Sequence, residues 1–221
     1  MDEIWSALIK GITKENMLLS AGYSLSLILK GMGLGIVLTF ILTTFAILFR
    51  TINTIYNALI AIFDPLPGIA MIPIALLWFG TGEVTILFLM IHGLLWPMSR
   101  SMLDGVKSIP RIYVEVGQNI GLRNLKLVTS VYLPACFPYI LSGFKTGWAR
   151  AWRALLSVEM IFGMAQGIGG IGLYIFQRRY QLDMAGVFAA LVIIILIGLA
   201  VEYGLFTQIE NRTTKRWGMV R

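Results

Sequence analysis

The chain has 221 residues, of which 57% are hydrophobic and only 13% charged. A soluble domain carries about twice that charged fraction, so the composition excludes an ordinary soluble protein and indicates an integral membrane protein. The net charge of +7 comes from residues in loops between apolar runs, which favours lipid headgroups rather than nucleic acid as the partner of these charges. The chain has one cysteine, Cys136, and one histidine, His92, which excludes an intrachain disulfide and a multi-histidine metal site.

The N-terminal segment, residues 1–23, is predicted to lie at the membrane surface. Within residues 1–20, the apolar side chains recur at helical spacing and share one face. They are Ile4, Trp5, Leu8, Ile9 and Ile12. Charged residues interrupt this stretch, and no small-residue cleavage site follows it, so it does not resemble a cleaved signal peptide.

Five stretches are apolar enough to cross about 30 Å of hydrocarbon, which takes about 20 helical residues. They are residues 31–49, 65–82, 84–99, 135–163 and 184–201. Three prolines are expected to bend the start of the second stretch, and four charged residues interrupt the fourth. The sequence therefore predicts an all-α membrane domain over residues 24–209, with about five spans and a tail over residues 210–221.

The distribution of Lys and Arg predicts the orientation of these spans. Most of the 18 basic residues follow the first, third and fifth spans, and Arg150 and Arg153 are counted with them. Because cytoplasmic loops carry an excess of positive charge, that side is predicted to be cytoplasmic and the N-terminus external.

A polar loop over residues 104–138 separates the third and fourth predicted spans. Pro110 favours the start of a short helix, and Gly121 favours its end through a left-handed cap. A second short helix is predicted over residues 125–132, stopped by Pro134. Leu122 supplies an apolar contact beside this junction. The loop is thus predicted to form a compact pair of helices that docks a soluble partner.

Seven positions of this loop follow a fixed register. They are Glu115, Val116, Gly117, Gly121, Val131, Leu133 and Pro134. The register resembles the EAA loop of permease subunits in ATP-binding-cassette importers, in which Glu precedes two small residues, Gly stands six residues after the Glu, and a β-branched residue and Leu-Pro follow. Val116 and Gly117 stand where that loop has alanines, and Val131 stands where it has isoleucine.

The resemblance extends over residues 24–221. Residues 67–82, 142–163 and 209–221 look like the taurine, nitrate and sulfonate branch of these permeases, whose members usually carry a further N-terminal span. It implies a type I importer permease fold in a bacterial inner membrane, with the loop residues and Leu122 coupling the chain to cytoplasmic ATPase subunits. It further implies an external solute-binding protein, a second permease copy, and a small oxyanion such as a sulfonate, nitrate or bicarbonate as solute.

The chain itself shows no nucleotide site, so no cofactor is expected and ATP hydrolysis is assigned to a partner. Residues 163–172 are glycine-rich but lack the Lys-Ser/Thr of a phosphate-binding loop. Within that segment, Gly167 and Gly169 are candidates for a gate, although a plain connecting loop explains them equally.

Two polar residues inside predicted spans, His92 and Glu159, keep an alternative open. Charged and polar groups at membrane depth often mark a transport pathway, which would suit an ion-coupled secondary transporter. A structural ion pair or hydrogen bond is the competing interpretation for both residues. A membrane enzyme is a weaker third possibility, because no paired carboxylates, nucleophile with base, or metal cluster is evident.

Overall fold

Helices account for the fold throughout the residues that the computed structural model describes, 2–162 and 169–216. In chain order they are α1 (Asp2–Lys14), α2 (Met17–Leu48), α3 (Arg50–Phe63), α4 (Ile72–Phe79), α5 (Glu83–Ser108), α6 (Arg111–Asn119), α7 (Asn124–Leu127), α8 (Leu133–Ala135), α9 (Phe137–Phe162), α10 (Ile171–Tyr180), α11 (Met184–Leu199) and α12 (Thr207–Arg212). A 3-10 helix (Gly68–Met71) precedes α4, and π-helical segments join α7 to α8 (Val128–Tyr132) and α11 to α12 (Ala200–Phe206).

Three helical runs are long and apolar enough to cross a membrane: α2, α5 and the continuous run Met184–Arg212. Two further pairs pass the same test together but are bent. The run Arg50–Phe63 meets Gly68–Phe79 at 99°, and Asn124–Ala135 meets Phe137–Ile161 at 73°. The described residues thus contain three spans, or five if each bent pair is one span, and the predicted all-α membrane fold is confirmed.

The centre of the molecule is the pair α5 and α9, which run antiparallel at close approach. Gly93 of α5 faces the backbone of Ala151, and Gly147 of α9 faces Leu94 so closely that a Cβ there would overlap the leucine side chain. Small residues at such contacts let two helix backbones approach, as membrane helices require. Helix α2 packs on the same pair, and Leu27, Leu94 and Leu155 lie fully buried among the three helices.

Helix α3 was not predicted. The sequence places a loop after the first span and a span over residues 65–82 that three prolines bend at its start, whereas the structure has a helix over Arg50–Phe63 and only eight helical residues in α4. Polar residues such as Asn53 and Asn57 gave the segment the appearance of a loop. Their amides bond within the fold, since Asn53 donates to the Ala46 carbonyl at 3.1 Å and Asn57 to that of Asn53 at 2.8 Å.

Two predicted boundaries fall inside helices. Helix α2 begins at Met17, so the division after residue 23 cuts it, and the division after residue 209 cuts α12. Helix α1 has the predicted amphipathic character, with Trp5 and Ile9 exposed while Leu8 packs against the core. Arg150 and Arg153, which the sequence assigned to the basic side, lie in the middle of α9.

Candidate functional site

The polar loop folds into a helical knob, defined here as residues 111–135. Pro110 lies just before α6, and the carbonyl of Pro110 accepts from the Tyr113 N–H at 3.1 Å, which closes the first turn. Pro110 is the N-cap, with an extended ψ of 134°, and a residue without an N–H loses no intrahelical hydrogen bond there. The start of the first predicted loop helix is thereby confirmed.

Gly121 ends α6 in the predicted left-handed conformation, with a φ of 86°. The N–H of Gly121 donates to the Gln118 carbonyl at 2.9 Å, and the N–H of Leu122 donates to the Gly117 carbonyl at 3.0 Å. These two bonds form a Schellman motif, which satisfies carbonyls at the end of a helix and fixes the direction of the following chain. Gly121 therefore sets the angle between α6 and α7.

The second predicted loop helix is longer than expected. It runs from Asn124 to Ala135 through the π-helical segment, and Pro134 lies within α8 instead of stopping the helix. A π-helical turn shifts the hydrogen-bond register of the helix. Pro134 has no N–H to donate to the preceding turn, and this shift lets the helix continue through it. The chain then bends at Cys136 into α9.

Gly117 is where α6 meets this second helix. It is buried, and a Cβ built on it would lie 3.0 Å from both the Leu127 Cδ1 and the Val131 Cγ2. The contact leaves room for a glycine and little more. Leu127 and Val128 are buried in turn, so α6 rests on a helix that is anchored in the fold.

An apolar groove of about 800 Å³ runs along the knob. Of the eight residues assigned to coupling, five line this groove: Val116, Gly117, Leu122, Val131 and Pro134. Val116 is 50% exposed and Ile120, beside it, 72% exposed. Glu115 is exposed on α6 but lies outside the groove, Gly121 shapes the turn, and Leu133 packs against the main core.

Glu159 is 2% exposed and lies within a hydrogen-bond network. Both of its carboxylate oxygens accept from the Ser24 hydroxyl, at 2.7 and 2.9 Å, and Oε2 also accepts from the Gly172 N–H at 2.9 Å. A Cβ on Gly170 would overlap the carboxylate. The network therefore joins α2, α9 and the start of α10.

The glycine-rich segment is only partly described. Gly167 lies outside the described residues, and Gly169 lies against Leu173, so closely that a Cβ there would overlap that side chain. The glycines that contact Glu159 are Gly170 and Gly172, which the sequence did not single out. Within residues 2–162 and 169–216, no three His, Cys, Asp or Glu side chains group as metal ligands would.

His92 is 8% exposed on α5 and faces a cavity of about 360 Å³ at the bend between α3 and α4. Asp64, Arg150 and Arg153 line the same cavity. Arg150 donates to the Asp64 carboxylate at 2.6 Å and to the Asp64 carbonyl at 3.1 Å. The sequence analysis did not single out Asp64. An aspartate that follows an apolar segment and precedes two prolines was a signal that could have identified it.

The family model described as "Binding-protein-dependent transport system inner membrane component" matches residues 22–215. A protein of Methanocaldococcus jannaschii described as an ABC transporter permease is 33% identical over 158 residues, which is 71% of this chain and 58% of that protein.

Two further relatives are named for their solutes. The taurine transport system permease protein TauC of Escherichia coli is 28% identical over 77% of this chain and 60% of its own length. The bicarbonate transport system permease protein CmpB of Synechococcus elongatus is 27% identical over 69% of this chain and 54% of its own length. The chain thus spans between 54% and 60% of the length of these three relatives.

Proposed function

The chain belongs to the family of inner membrane components of binding-protein-dependent transport systems, and from this premise we propose that it is the permease subunit of an ATP-binding-cassette importer. It works in the bacterial inner membrane as a multi-pass protein, paired with a second permease copy. Cytoplasmic ATPase subunits supply the energy, and an external binding protein delivers the solute. The chain itself performs no catalysis.

The groove on the knob carries this proposal. Val116 within α6 and Ile120 directly after it expose apolar surface at the groove, and Ile112 and Tyr113 of the same helix are exposed as well. Contiguous exposed apolar surface is typical of a protein interface, and a short helix with such a face suits docking into a groove of a partner. Arg111, Arg123 and Lys126 are exposed elsewhere on the knob, so the knob carries positive charge in addition to its apolar surface.

The knob is also built to transmit a displacement. The Schellman motif at Gly121 and the contact at Gly117 hold α6 against the helix Asn124–Ala135, and that helix continues through one bend into α9. A push on α6 by a moving ATPase subunit therefore reaches a long helix of the core. Closure of two ATPase subunits would move two such knobs together and alternate access to the pathway, as rigid-body motions of packed elements do.

We propose a small oxyanion, such as a sulfonate, nitrate or bicarbonate, as the solute. Two relatives are named for taurine, a sulfonate, and for bicarbonate. The cations Arg150 and Arg153 in the middle of α9 suit an anionic solute.

The ion-coupled alternative receives less support from the geometry. It requires a carboxylate that exchanges a proton or cation with the pathway, whereas Glu159 is buried and both of its oxygens accept hydrogen bonds from the protein.

Co-purification tests the proposed function. Ile120→Asp places a charge in the groove without disturbing a buried contact, and Leu182→Asp makes the same change at an exposed position, 80% exposed, in the turn between α10 and α11. We expect the ATPase subunit to co-purify with the wild type and with Leu182→Asp but not with Ile120→Asp. Recovery of the ATPase subunit with all three proteins, or with none, would contradict the proposal.

A further inference from the structure

The bend between α3 and α4 opens a cavity toward α5 and α9. Helix α3 ends at Phe63, the chain passes through Asp64 and two prolines, and the 3-10 helix then leads into α4. The cavity has a volume of about 360 Å³, enough for a small oxyanion and several waters. Its polar lining consists of Asp64, His92, Arg150, Arg153 and Ser157.

The charge of this cavity is positive. Asp64 is its only carboxylate among the lining residues described, and it is engaged by two arginines, Arg100 through Nε at 2.8 Å and Arg150 through Nη1 at 2.6 Å. Among the described lining residues, Arg150 and Arg153 carry two positive charges against the one negative charge of Asp64, and Arg100 engages Asp64 from outside the lining. Asp64 therefore positions Arg150 without cancelling the charge of the cavity.

Arg153 lies about one helical turn beyond Arg150 on α9 and lines the same space. Its Nε donates to the Ala149 carbonyl of its own helix at 3.0 Å. No carboxylate of the described residues lies within ion-pair distance of it. A guanidinium carries five N–H donors, so most of the donors of Arg153 are available to a ligand in the cavity.

His92 provides an independent observation. The side chain is more than nine-tenths buried and lines the cavity, yet its Nε2 has no hydrogen-bond partner among the described residues. Buried polar nitrogens without a partner are rare in folded proteins, and a missing ligand or water is one explanation of them. Nε2 itself has almost no accessible surface, so it meets a ligand only when the ring turns toward the cavity. The rings of Phe63 and Trp96, with centroids 6.4 and 6.3 Å from that of His92, flank the imidazole.

The cavity lies beside the middle of α9, and therefore at mid-depth of the span predicted over residues 135–163. Arg150 stands about 20 Å from either end of α9 at 1.5 Å per residue. Cations at this depth are costly and generally serve a pathway or an ion. Phosphate groups of lipids lie at the membrane surface, so the anion that reaches this cavity is a solute in the pathway.

We propose that this cavity is an oxyanion-binding site of the permease itself, in which Arg153 and His92 donate to the anion and Asp64 orients Arg150 behind it. The site would give the permease a selectivity of its own, additional to that of the binding protein. This inference rests on the proposed import of a small oxyanion.

Equilibrium binding to the purified protein in phosphatidylcholine nanodiscs tests the site. The probe is radiolabelled ethanesulfonate, with unlabelled nitrate and bicarbonate as competitors. We expect saturable binding to the wild type, about tenfold or more weaker in Arg153→Gln and in His92→Leu, because each loses one donor to a charged ligand. Arg153→Lys should recover part of the affinity, and Arg50→Gln, at an exposed arginine outside the cavity, should bind as the wild type does.

Absence of saturable binding by the wild type, or equal losses in Arg153→Gln and Arg50→Gln, would overturn the inference. So would binding that disappears in nanodiscs of anionic phosphatidylglycerol, because the occupant would then be a lipid headgroup. Failure of the anion site can be distinguished from failure of the proposed function. Ile120→Asp is expected to lose the ATPase subunit and still to bind the probe as the wild type does. If instead the ATPase subunit never co-purifies while the probe still binds, the anion site stands and the coupling proposal fails.

Discussion

The hydroxyl of Ser24 donates to both carboxylate oxygens of Glu159, 135 residues further along the chain, at 2.7 and 2.9 Å. The Ile171 N–H donates to the Ser24 oxygen at 3.0 Å, and the Gly172 N–H donates to the carboxylate. Three helices therefore meet at one buried carboxylate. The carboxylate also lies at the N-terminus of α10, where the first backbone N–H groups have no partner within the helix.

Ser24→Ala should lower the stability of the protein by about 1–3 kcal/mol, because it leaves a buried carboxylate with fewer donors. The expected result is a lower melting temperature in detergent. Ser26→Ala is the matched control, since the Ser26 hydroxyl is exposed and donates to the Tyr23 carbonyl of its own helix. Equal melting temperatures for Ser24→Ala and Ser26→Ala would contradict a structural role for the network.

Gly117→Leu should separate α6 from the helix beneath it, because even a Cβ at this position lies 3.0 Å from Leu127 and Val131 side chains. Gly117→Ala requires shifts of only a few tenths of an ångström at flexible side-chain ends, so it should be tolerated. We expect loss of ATP-driven uptake in Gly117→Leu and retention of most uptake in Gly117→Ala. Asn119→Leu, at an exposed position of α6 outside the groove, controls for the introduction of a leucine on this helix; a loss there as large as in Gly117→Leu would refute this account of the contact.

Gly121→Val should disrupt the turn after α6, because a β-branched residue is strained at a φ of 86°. The cost of such strain is about 1–3 kcal/mol, and relief of the strain would change the angle between α6 and α7. Gly121→Asn should be milder, since Asn tolerates the left-handed region. ATPase co-purification should therefore fall in the order Gly, Asn, Val, and similar recovery with Val and Asn would show that the backbone conformation is unimportant.

The turn between α1 and α2 should respond to acid. Burial alone would raise the pKa of Glu15, but hydrogen bonds from Tyr174 and Lys10 and the charge of Arg178 outweigh it, so the pKa lies below its ordinary value. A lowered folded-state pKa stabilises the fold above the unfolded pKa, and this contribution is lost as pH falls through the folded value.

Replacement of Glu15 gives the corresponding experiment. The melting temperature of Glu15→Gln should lie below that of the wild type at neutral pH, and the difference should shrink below about pH 4. Glu3→Gln, at an exposed residue of α1, should track the wild type throughout. A difference between Glu15→Gln and the wild type that grows on acidification would contradict the sign of this shift.

Local signals made much of the fold predictable. The long apolar runs gave α2, α5, α9 and α11, because membrane helices are defined by composition over about 20 residues. Gly121 gave the end of α6, because a left-handed cap favours glycine. Helix α3 was not predicted, because the side-chain amides of its polar residues donate to backbone carbonyls and the sequence alone does not show these hydrogen bonds.

The candidate sites also differ in how far the local sequence could predict them. The residues predicted to couple the chain to an ATPase subunit lie within twenty residues of one another, so their register in the sequence was enough to propose them. Asp64 pairs with Arg150 across 86 residues and Ser24 with Glu159 across 135, and nothing in the local sequence shows which residue pairs with which. Such contacts follow from the packing of α2, α3, α5 and α9 and had to await the structure.

The central claim is that the knob is the surface on which a cytoplasmic ATPase subunit acts. Its most direct test is site-specific photo-crosslinking in membranes that contain the permease and its ATPase partner, with the photoreactive residue at position 120 or, as control, at position 182. Both positions are exposed, so both report contact without disturbing the core. The account predicts a crosslinked product with the ATPase subunit from position 120 and none from position 182. A product from position 182 alone, or none from either, would contradict it.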